Sequence, residues 1–232
     1  LSEIVVRLRT LRRESDLSVF YNRNRRLFAI GYDCEKEKRS DSYYDLLMSE
    51  ARMASFLAVA DGFAGREHWA ALARTAAKNG RYSGALSWSG TMFEYFMPYL
   101  FLPSEKNTLT DESLWFCLKS QMKYAAKHHI PWGISESCIF AFNENMNYHY
   151  RANGVPQTAL RYFERADLTV APYAVFLTVP FLPAESCANL RRLEKYPIKG
   201  KYGFFEALDF TPGRTCAGQS APVRCFMVHH VG

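Results

Sequence analysis

No run of about 18 or more apolar residues occurs in the sequence, which excludes a membrane-crossing helix from this segment. No signal-peptide pattern of a basic stretch followed by an apolar one is visible either. The six cysteines, Cys34, Cys117, Cys138, Cys187, Cys216 and Cys225, form no CxxC pair, and no His/Cys spacing fits a zinc site. They are therefore expected to be free thiols of a reducing compartment, and neither a metal nor a cofactor is expected. No internal repeat and no nucleic-acid-binding motif is found. The net charge of +6 is concentrated in Arg7, Arg9, Arg12, Arg13, Arg23, Arg25 and Arg26, which fall on a solvated helix and a turn, so nucleic acid is not expected as a partner.

Apolar and aromatic residues, by contrast, are plentiful. The 232 residues are 48% hydrophobic and 22% charged, which suits one globular domain over residues 1–232 with a real core. The chain begins at Leu1 and stops inside His229-His230-Val231-Gly232, so it reads as a piece of a longer protein. Aromatics make up 15% of it, with four Trp and fourteen Tyr, more than a core needs. Tyr and Trp suit sites with an apolar face and a polar rim. Sugars, with C–H faces and hydroxyl edges, are one natural partner.

The chain is organised around Pro131-Trp132-Gly133-Ile134-Ser135-Glu136-Ser137. A basic segment, Lys123 to His129, reads as a helix end that Pro131 stops. Gly133 permits a turn that a side chain hinders. Glu136 is thus placed on a loop or at a new helix start, at the rim of the fold, where catalytic groups gather. The structural alternative is a helix N-terminus capped by Ser135 with an acid in its first turn.

Elsewhere the periodicity predicts mainly helices: 2–15, 42–60, 67–78, 92–102 and 109–128, an apolar helix within 167–182, and 184–194. A short hairpin is predicted over 19–30. In the 42–60 helix Leu46, Leu47, Glu50, Met53, Ala54 and Leu57 share a face, so Glu50 falls on the apolar stripe. A lone carboxylate there is costly unless paired or functional. Glu94 is a second acid inside an apolar run. Phe142 to Tyr150 holds Asn143, Asn145, Asn147, Tyr148, His149 and Tyr150, with Arg151 following, a cluster of amide and phenol groups that can bond several hydroxyls at once; the structural alternative is a plain polar loop. Successive amphipathic helices with functional loops between them fit a helical toroid or bundle better than a sheet fold.

Taken together, the runs Ser42-Tyr43-Tyr44-Asp45-Leu46-Leu47, Ser49-Glu50-Ala51-Arg52, Leu86-Ser87-Trp88-Ser89-Gly90-Thr91-Met92-Phe93-Glu94-Tyr95 and Pro131 to Ser137 resemble the glycoamylase-like domain. So do Asn147-Tyr148-His149-Tyr150-Arg151, Val170-Ala171-Pro172-Tyr173, Tyr202-Gly203-Phe204-Phe205-Glu206-Ala207, and Arg224 with His229-His230. The likeness is strongest to the cyclising middle domain of bacterial cyclic β-1,2-glucan synthases and runs from about Phe20 to the last residue. It implies an all-α fold, an (α/α)6 barrel incomplete in this fragment, with the N-terminal β-hairpin added. It also implies a β-1,2-glucan substrate, further domains of the same polypeptide including membrane-spanning ones, and a place on the cytoplasmic side of a bacterial inner membrane.

The family's two acids align with Glu50 as nucleophile and Glu136 as acid/base of an anomer-retaining transglycosylation. The substrate-binding set carried by the same motifs is Tyr43, Tyr44, Trp88, Glu94, Trp132, Asn147, Tyr148, Tyr150, Arg151, Tyr173, Tyr202, Phe204, Glu206, Arg224, His229 and His230. Tyr43, Trp88, Trp132, Tyr148 and Tyr202 are expected around one concave face. Departures from the family pattern are Cys34 with the charges of Glu35 to Lys38, Cys138 and Phe140 after Glu136, and Val231 after the His pair.

The residues and the resemblance select the same pair of acids. Glycosyl transfer needs one protonated acid at the leaving oxygen and one carboxylate at the anomeric centre, and unequal environments split two pKa values accordingly. Two alternatives stay open. One is an inverting endo-β-1,2-glucanase, for which the carboxylates stand about 6.5–9.5 Å apart and not about 5–5.5 Å. The other is a non-catalytic glucan-binding module.

Overall fold

A computed structural model describes residues 2–164, 166–216 and 218–231, with the side chain of Val231 outside that description. The departure noted at Val231 and the closing Gly232 of the His-pair motif therefore lie outside the described residues. The chain forms two compact units, one of residues 1–47 and 51–73, the other of 48–50 and 74–232.

The first unit starts with α1 (Ser2–Glu14), whose apolar Ile4, Leu8 and Leu11 are all exposed. The predicted hairpin is present as β1 (Tyr21–Asn22) and β2 (Leu27–Ala29). Its turn is built by the Asn22 side-chain oxygen, which accepts from the N–H groups of Asn24 and Arg25. β3 (Tyr32–Asp33) and β4 (Lys38–Arg39) make a second hairpin, and β5 (Tyr43–Tyr44) joins β2 as a third strand. α2 (Arg52–Ala60) and α3 (Arg66–Ala71) complete the unit. Phe28, Ala58 and Ala64 form its core, with Phe20, Tyr21 and Phe63 packed around them.

The helix expected over 42–60 is thus corrected to α2 alone. Asp45 and Leu47 spend their backbone groups on Ala73, with Ala73 N–H to Asp45 O at 2.6 Å and Leu47 N–H to Ala73 O at 3.0 Å. That pairing with a distant part of the chain outcompetes the helical period of Leu46, Leu47 and Glu50.

In the second unit β6 (Ala76–Asn79) and β7 (Tyr82–Ala85) form a hairpin turning at Gly80, where φ is +67°. The helix expected to reach residue 78 ends at Ala71. α4 (Met92–Phe96) is followed by a 3-10 turn, and α5 (Leu109–Lys127) is the longest element. β7 lies against α5 so closely that a Cβ on Gly84 would stand 2.7 Å from the Ser113 Cα. β8 (Ser137–Phe142) pairs with β9 (Tyr148–Arg151), so Tyr148 to Arg151 of the polar cluster lie on a strand and Asn143 to Asn147 in the turn before it.

β10 (Thr169–Val170), α6 (Pro172–Phe176) and α7 (Pro183–Leu193) follow. β11 (Lys199–Gly200) and β12 (Gly203–Phe204) then pair with each other. β13 (Ala207–Asp209) and β14 (Ala221–Val223) complete a sheet ordered β10-β13-β14, and α8 (Val228–Val231) ends the described chain.

With eight α-helices and fourteen short strands among the described residues, the expectation of an all-α fold is corrected. The physical reason is local. The connections between helices carry aromatic and β-branched residues with turn residues between them, and these satisfy their backbone groups by pairing into hairpins.

Candidate active site

Glu136 sits in a segment held from four directions. After α5, His129 takes a left-handed conformation (φ 57°) and the chain enters Pro131. Asn189 of α7 then grips Trp132, its Oδ1 accepting from the N–H at 3.3 Å and its Nδ2 donating to the C=O at 2.7 Å. Gln121 of α5 does the same for Ile134, at 3.0 and 2.6 Å. Between them Gly133 has φ +126° and so little room that a Cβ would meet the Val175 Cγ2 at 2.8 Å. Ser135 Oγ accepts from the Phe93 N–H at 3.1 Å, and the Tyr173 hydroxyl lies 2.9 Å from that oxygen and 2.8 Å from the Glu136 carbonyl. Glu136 therefore precedes a strand, β8, and the alternative of a helix N-terminus capped by Ser135 does not hold.

The acids of this unit have unequal surroundings. Burial pushes the Glu136 carboxyl up to about 7, and the negative charges of Glu50, Glu94 and Glu206 add to it, while a hydrogen bond from the Tyr150 hydroxyl acts against them. Burial and the charges of Glu136 and Glu206 in turn raise the Tyr150 phenol. Glu50 lies in the turn ahead of α2 and not on that helix's stripe, and its Oε2 accepts from Ser49 Oγ at 3.2 Å. Glu94 is buried at the third position of α4 and accepts from Ser87 Oγ, the Ser89 N–H and both the N–H and Oγ1 of Thr91. These bonds close a capping box, which stabilises a helix start. Glu94, expected as a substrate-binding residue, has a structural role here as the acid of that box.

A cleft of about 530 Å³ opens beside this segment. Of the sequence-predicted residues it gathers Tyr173, Tyr202, Phe204, Glu206, His229 and His230. Phe93, Phe176, Phe205 and Phe226, which the sequence did not single out, complete its aromatic lining. Glu136 and Glu50 are not among its lining residues, but Tyr173 and Glu206 are, and both act directly on Glu136.

Of the five aromatics expected around one concave face, Tyr202 lines this cleft. Trp132 is 5% exposed and cannot offer a face to a sugar. Trp88 is 59% exposed and Tyr148 packs against Phe142 at 4.7 Å, and neither lines the cleft. Tyr43 and Tyr44 belong to the first unit, where the Tyr43 hydroxyl accepts from Asn22 Nδ2 at 2.9 Å and the Arg25 guanidinium lies 5.0 Å above its ring.

Tyr150 reaches His229 Nε2 at 3.4 Å. The exposed Arg151 pairs with Asp167 at 3.3 Å, and Asn147 is fixed in the β8–β9 turn by Asn143. Arg224 is exposed, and its N–H donates to the Tyr148 hydroxyl at 3.3 Å. Among the described residues no group of three His, Cys, Asp or Glu side chains could hold a metal ion, and no helix is long and apolar enough to cross a membrane.

The glycoamylase family model matches residues 42–232. The chain belongs to the glycoamylase family. It is 36% identical over 227 residues to the cyclic beta-(1,2)-glucan synthase NdvB of Rhizobium meliloti (strain 1021), covering 97% of this chain and 8% of that protein. Among solved structures it resembles the endo-beta-1,2-glucanase of Chitinophaga pinensis, with a TM-score of 0.68, 16% identity and coverage of 90% of this chain and 54% of that one. The endo-beta-1,2-glucanase of Talaromyces funiculosus gives a TM-score of 0.63 at 14% identity, over 83% of this chain and 44% of that one. At such identities the likeness shows a shared fold, the helical-barrel fold of glycoamylase-like proteins.

In this glycoamylase-family chain the residues that sequence reasoning missed are the two amide clamps. Nothing local marks Gln121 or Asn189, since each is a polar residue inside a helix whose partner lies 13 or 57 positions away. A polar side chain on the buried face of an otherwise amphipathic helix was the available signal. Replacing Asn189 with leucine leaves the Trp132 N–H and C=O buried and unpaired, at about 1–3 kcal/mol each. The expected outcome is a loss of roughly 3 kcal/mol in stability, read by denaturant unfolding. Any glycosyl-transfer rate should also fall about tenfold as the Glu136 segment loosens.

Proposed function

We propose that this chain is the catalytic part of a β-1,2-glucan-active enzyme that works by anomer-retaining transglycosylation and closes linear glucan into rings. One observation supports this above all: Glu136, half-buried, carries a carboxyl pushed up to about 7, and the charge of a second acid, Glu50, helps hold it there. A carboxyl so raised suits the proton donor that glycosyl transfer needs. The 36% identity to a protein named as a cyclic glucan synthase points to ring closure. The fold shared with enzymes named as endo-β-1,2-glucanases points to the same linkage.

In this reading protonated Glu136 donates to the interglycosidic oxygen while the Glu50 carboxylate attacks the anomeric carbon. The glycosyl–Glu50 ester that results keeps the transferred chain, and the departing fragment leaves with the proton. Ionised Glu136 then takes the proton from the 2-hydroxyl at the chain's far end, which displaces Glu50 and forms the ring-closing β-1,2 bond. Two inversions give overall retention. Tyr202, Phe204 and Tyr173 supply aromatic surface along the cleft for sugar C–H faces.

The reading includes the (α/α)6 barrel as scaffold, residues 1–232 as a part of the catalytic domain, and further domains of a longer polypeptide on the cytoplasmic side of a bacterial inner membrane. The test is product analysis of the complete protein with linear β-1,2-glucan. Cyclic products with β anomers retained are expected. Linear fragments that first appear as the α anomer would show inverting hydrolysis, and an unchanged substrate would leave only a binding module.

A further inference from the structure

A second buried acid beside the cleft has no part in the steps above. The Glu206 Oε1 accepts from His230 Nδ1 at 2.9 Å and from the Cys138 N–H at 3.3 Å, while the Glu206 N–H donates to the Cys225 carbonyl at 3.0 Å. The two side chains are 2% and 1% exposed, so their polar atoms do not open to a sugar even though both residues contribute to the cleft wall. The His230 ring lies flat on Tyr173, centroids 3.7 Å apart and planes within 14°, with Phe93 and His229 edge-on at 6.0 and 4.1 Å.

Its Nε2 is buried and has no hydrogen-bond partner among the described residues. A proton there would be an N–H with nothing to receive it, which is costly. The ring therefore carries a hydrogen on Nδ1, where it meets the Glu206 carboxylate.

We propose that the Glu206–His230 pair is a positioning device for the Glu136 acid and not a sugar contact: Glu206 places its carboxylate close to Glu136, and His230, stacked on Tyr173, holds that carboxylate and the tyrosine that bonds Ser135 Oγ and the Glu136 carbonyl in place. This rests on reading Glu136 as the proton donor. The groups that face Glu136 are Glu50 from the turn before α2, Glu94 from α4, Tyr150 from β9, Tyr173 from α6 and Glu206 before β13, with His229 and His230 of α8 behind Tyr150 and Tyr173. The three other acids all favour the protonated carboxyl, and the Tyr150 hydrogen bond opposes them. Glu206 can thus be separated from Tyr150 by the sign of its effect.

The test follows Glu136 protonation by carboxyl-carbon NMR, together with kcat and KM across pH. In Glu206→Gln the Glu136 midpoint should fall by about half a pH unit or more, bringing the alkaline loss of activity to lower pH. In Tyr150→Phe it should rise. KM for glucan should stay within about twofold in Glu206→Gln, because no sugar contact is lost. A tenfold rise in KM with an unmoved midpoint would overturn the proposal.

Should Glu206→Gln not fold, His230→Asn keeps an N–H at the place of Nδ1 and leaves the Glu206 charge. It should lower kcat with KM again within about twofold, and a selective loss of glucan affinity would overturn the proposal. The NMR titration needs no turnover. A midpoint that falls in a protein inactive on glucan supports the device and refutes the glycosyl-transfer reading, so the two failures are distinguishable.

Discussion

Replacing Glu50 with glutamine in the complete protein should abolish ring formation, with a fall in rate of at least about a thousandfold, because no carboxylate remains to form the glycosyl ester. The amide is close to isosteric and can still accept from Ser49 Oγ, which stands 3.2 Å from Glu50 Oε2, so the turn ahead of α2 should survive. A β-glucosyl fluoride, whose leaving group needs little protonation, should not rescue cleavage with retention, since the missing group is the nucleophile. Azide can enter where the carboxylate stood and should restore turnover with an inverted, α-configured product. Product anomer by NMR reads this directly. A purely structural Glu50 predicts the reverse pattern, a lower melting temperature with activity largely kept. A stable Glu50→Gln protein that still makes cyclic glucan would end the assignment. The same substitution removes the second-largest influence on Glu136, after burial, so its carboxyl should titrate at lower pH in this variant.

What the sequence showed of this site follows the range of each interaction. Helices with a strong period and clear ends were legible: α5 and α7 lie within a residue or so of the expected 109–128 and 184–194. The helix expected over 42–60 was misread because Asp45 and Leu47 pair with Ala73, some 26 or more residues away, and no local pattern reports that partner. Glu136 stood out as an acid between a proline, a glycine and two serines, all short-range signals. Glu94 stood out for the same kind of reason, an acid in an apolar run, and turned out to be half of a capping box. The spacing from Thr91 to Glu94 was present in the sequence and already carried that answer. Trp132 was misjudged because an aromatic beside a loop acid looks like a sugar platform. The Asn189 clamp that draws its backbone inward comes from another helix.

Glutamine at position 136 should make the protein less active and, in alkaline solution, more stable. The activity loss is the larger effect: without the proton donor, cleavage of glucan should slow by about a hundred- to ten-thousandfold, while an activated glucosyl fluoride is partly spared. The stability gain follows from the carboxyl's displacement, from an ordinary value of 4.5 up to about 7 in the folded protein. Between those two values the folded state keeps a proton that the unfolded chain has released. The stability this group contributes is therefore present at acid pH and is lost as pH rises through that window and past about 7, where the half-buried carboxyl ionises. The gap corresponds to about 3 kcal/mol. A neutral amide escapes that cost, so Glu136→Gln should match the parent near pH 4.5 and exceed it by up to about 3 kcal/mol at pH 8.5. For a chain of this length that is a rise in Tm of roughly 6–12 °C. Thermal melts at the two pH values check it, alongside rates on glucan and on the fluoride. Equal melting temperatures at pH 8.5 would mean that Glu136 is not held protonated by its surroundings.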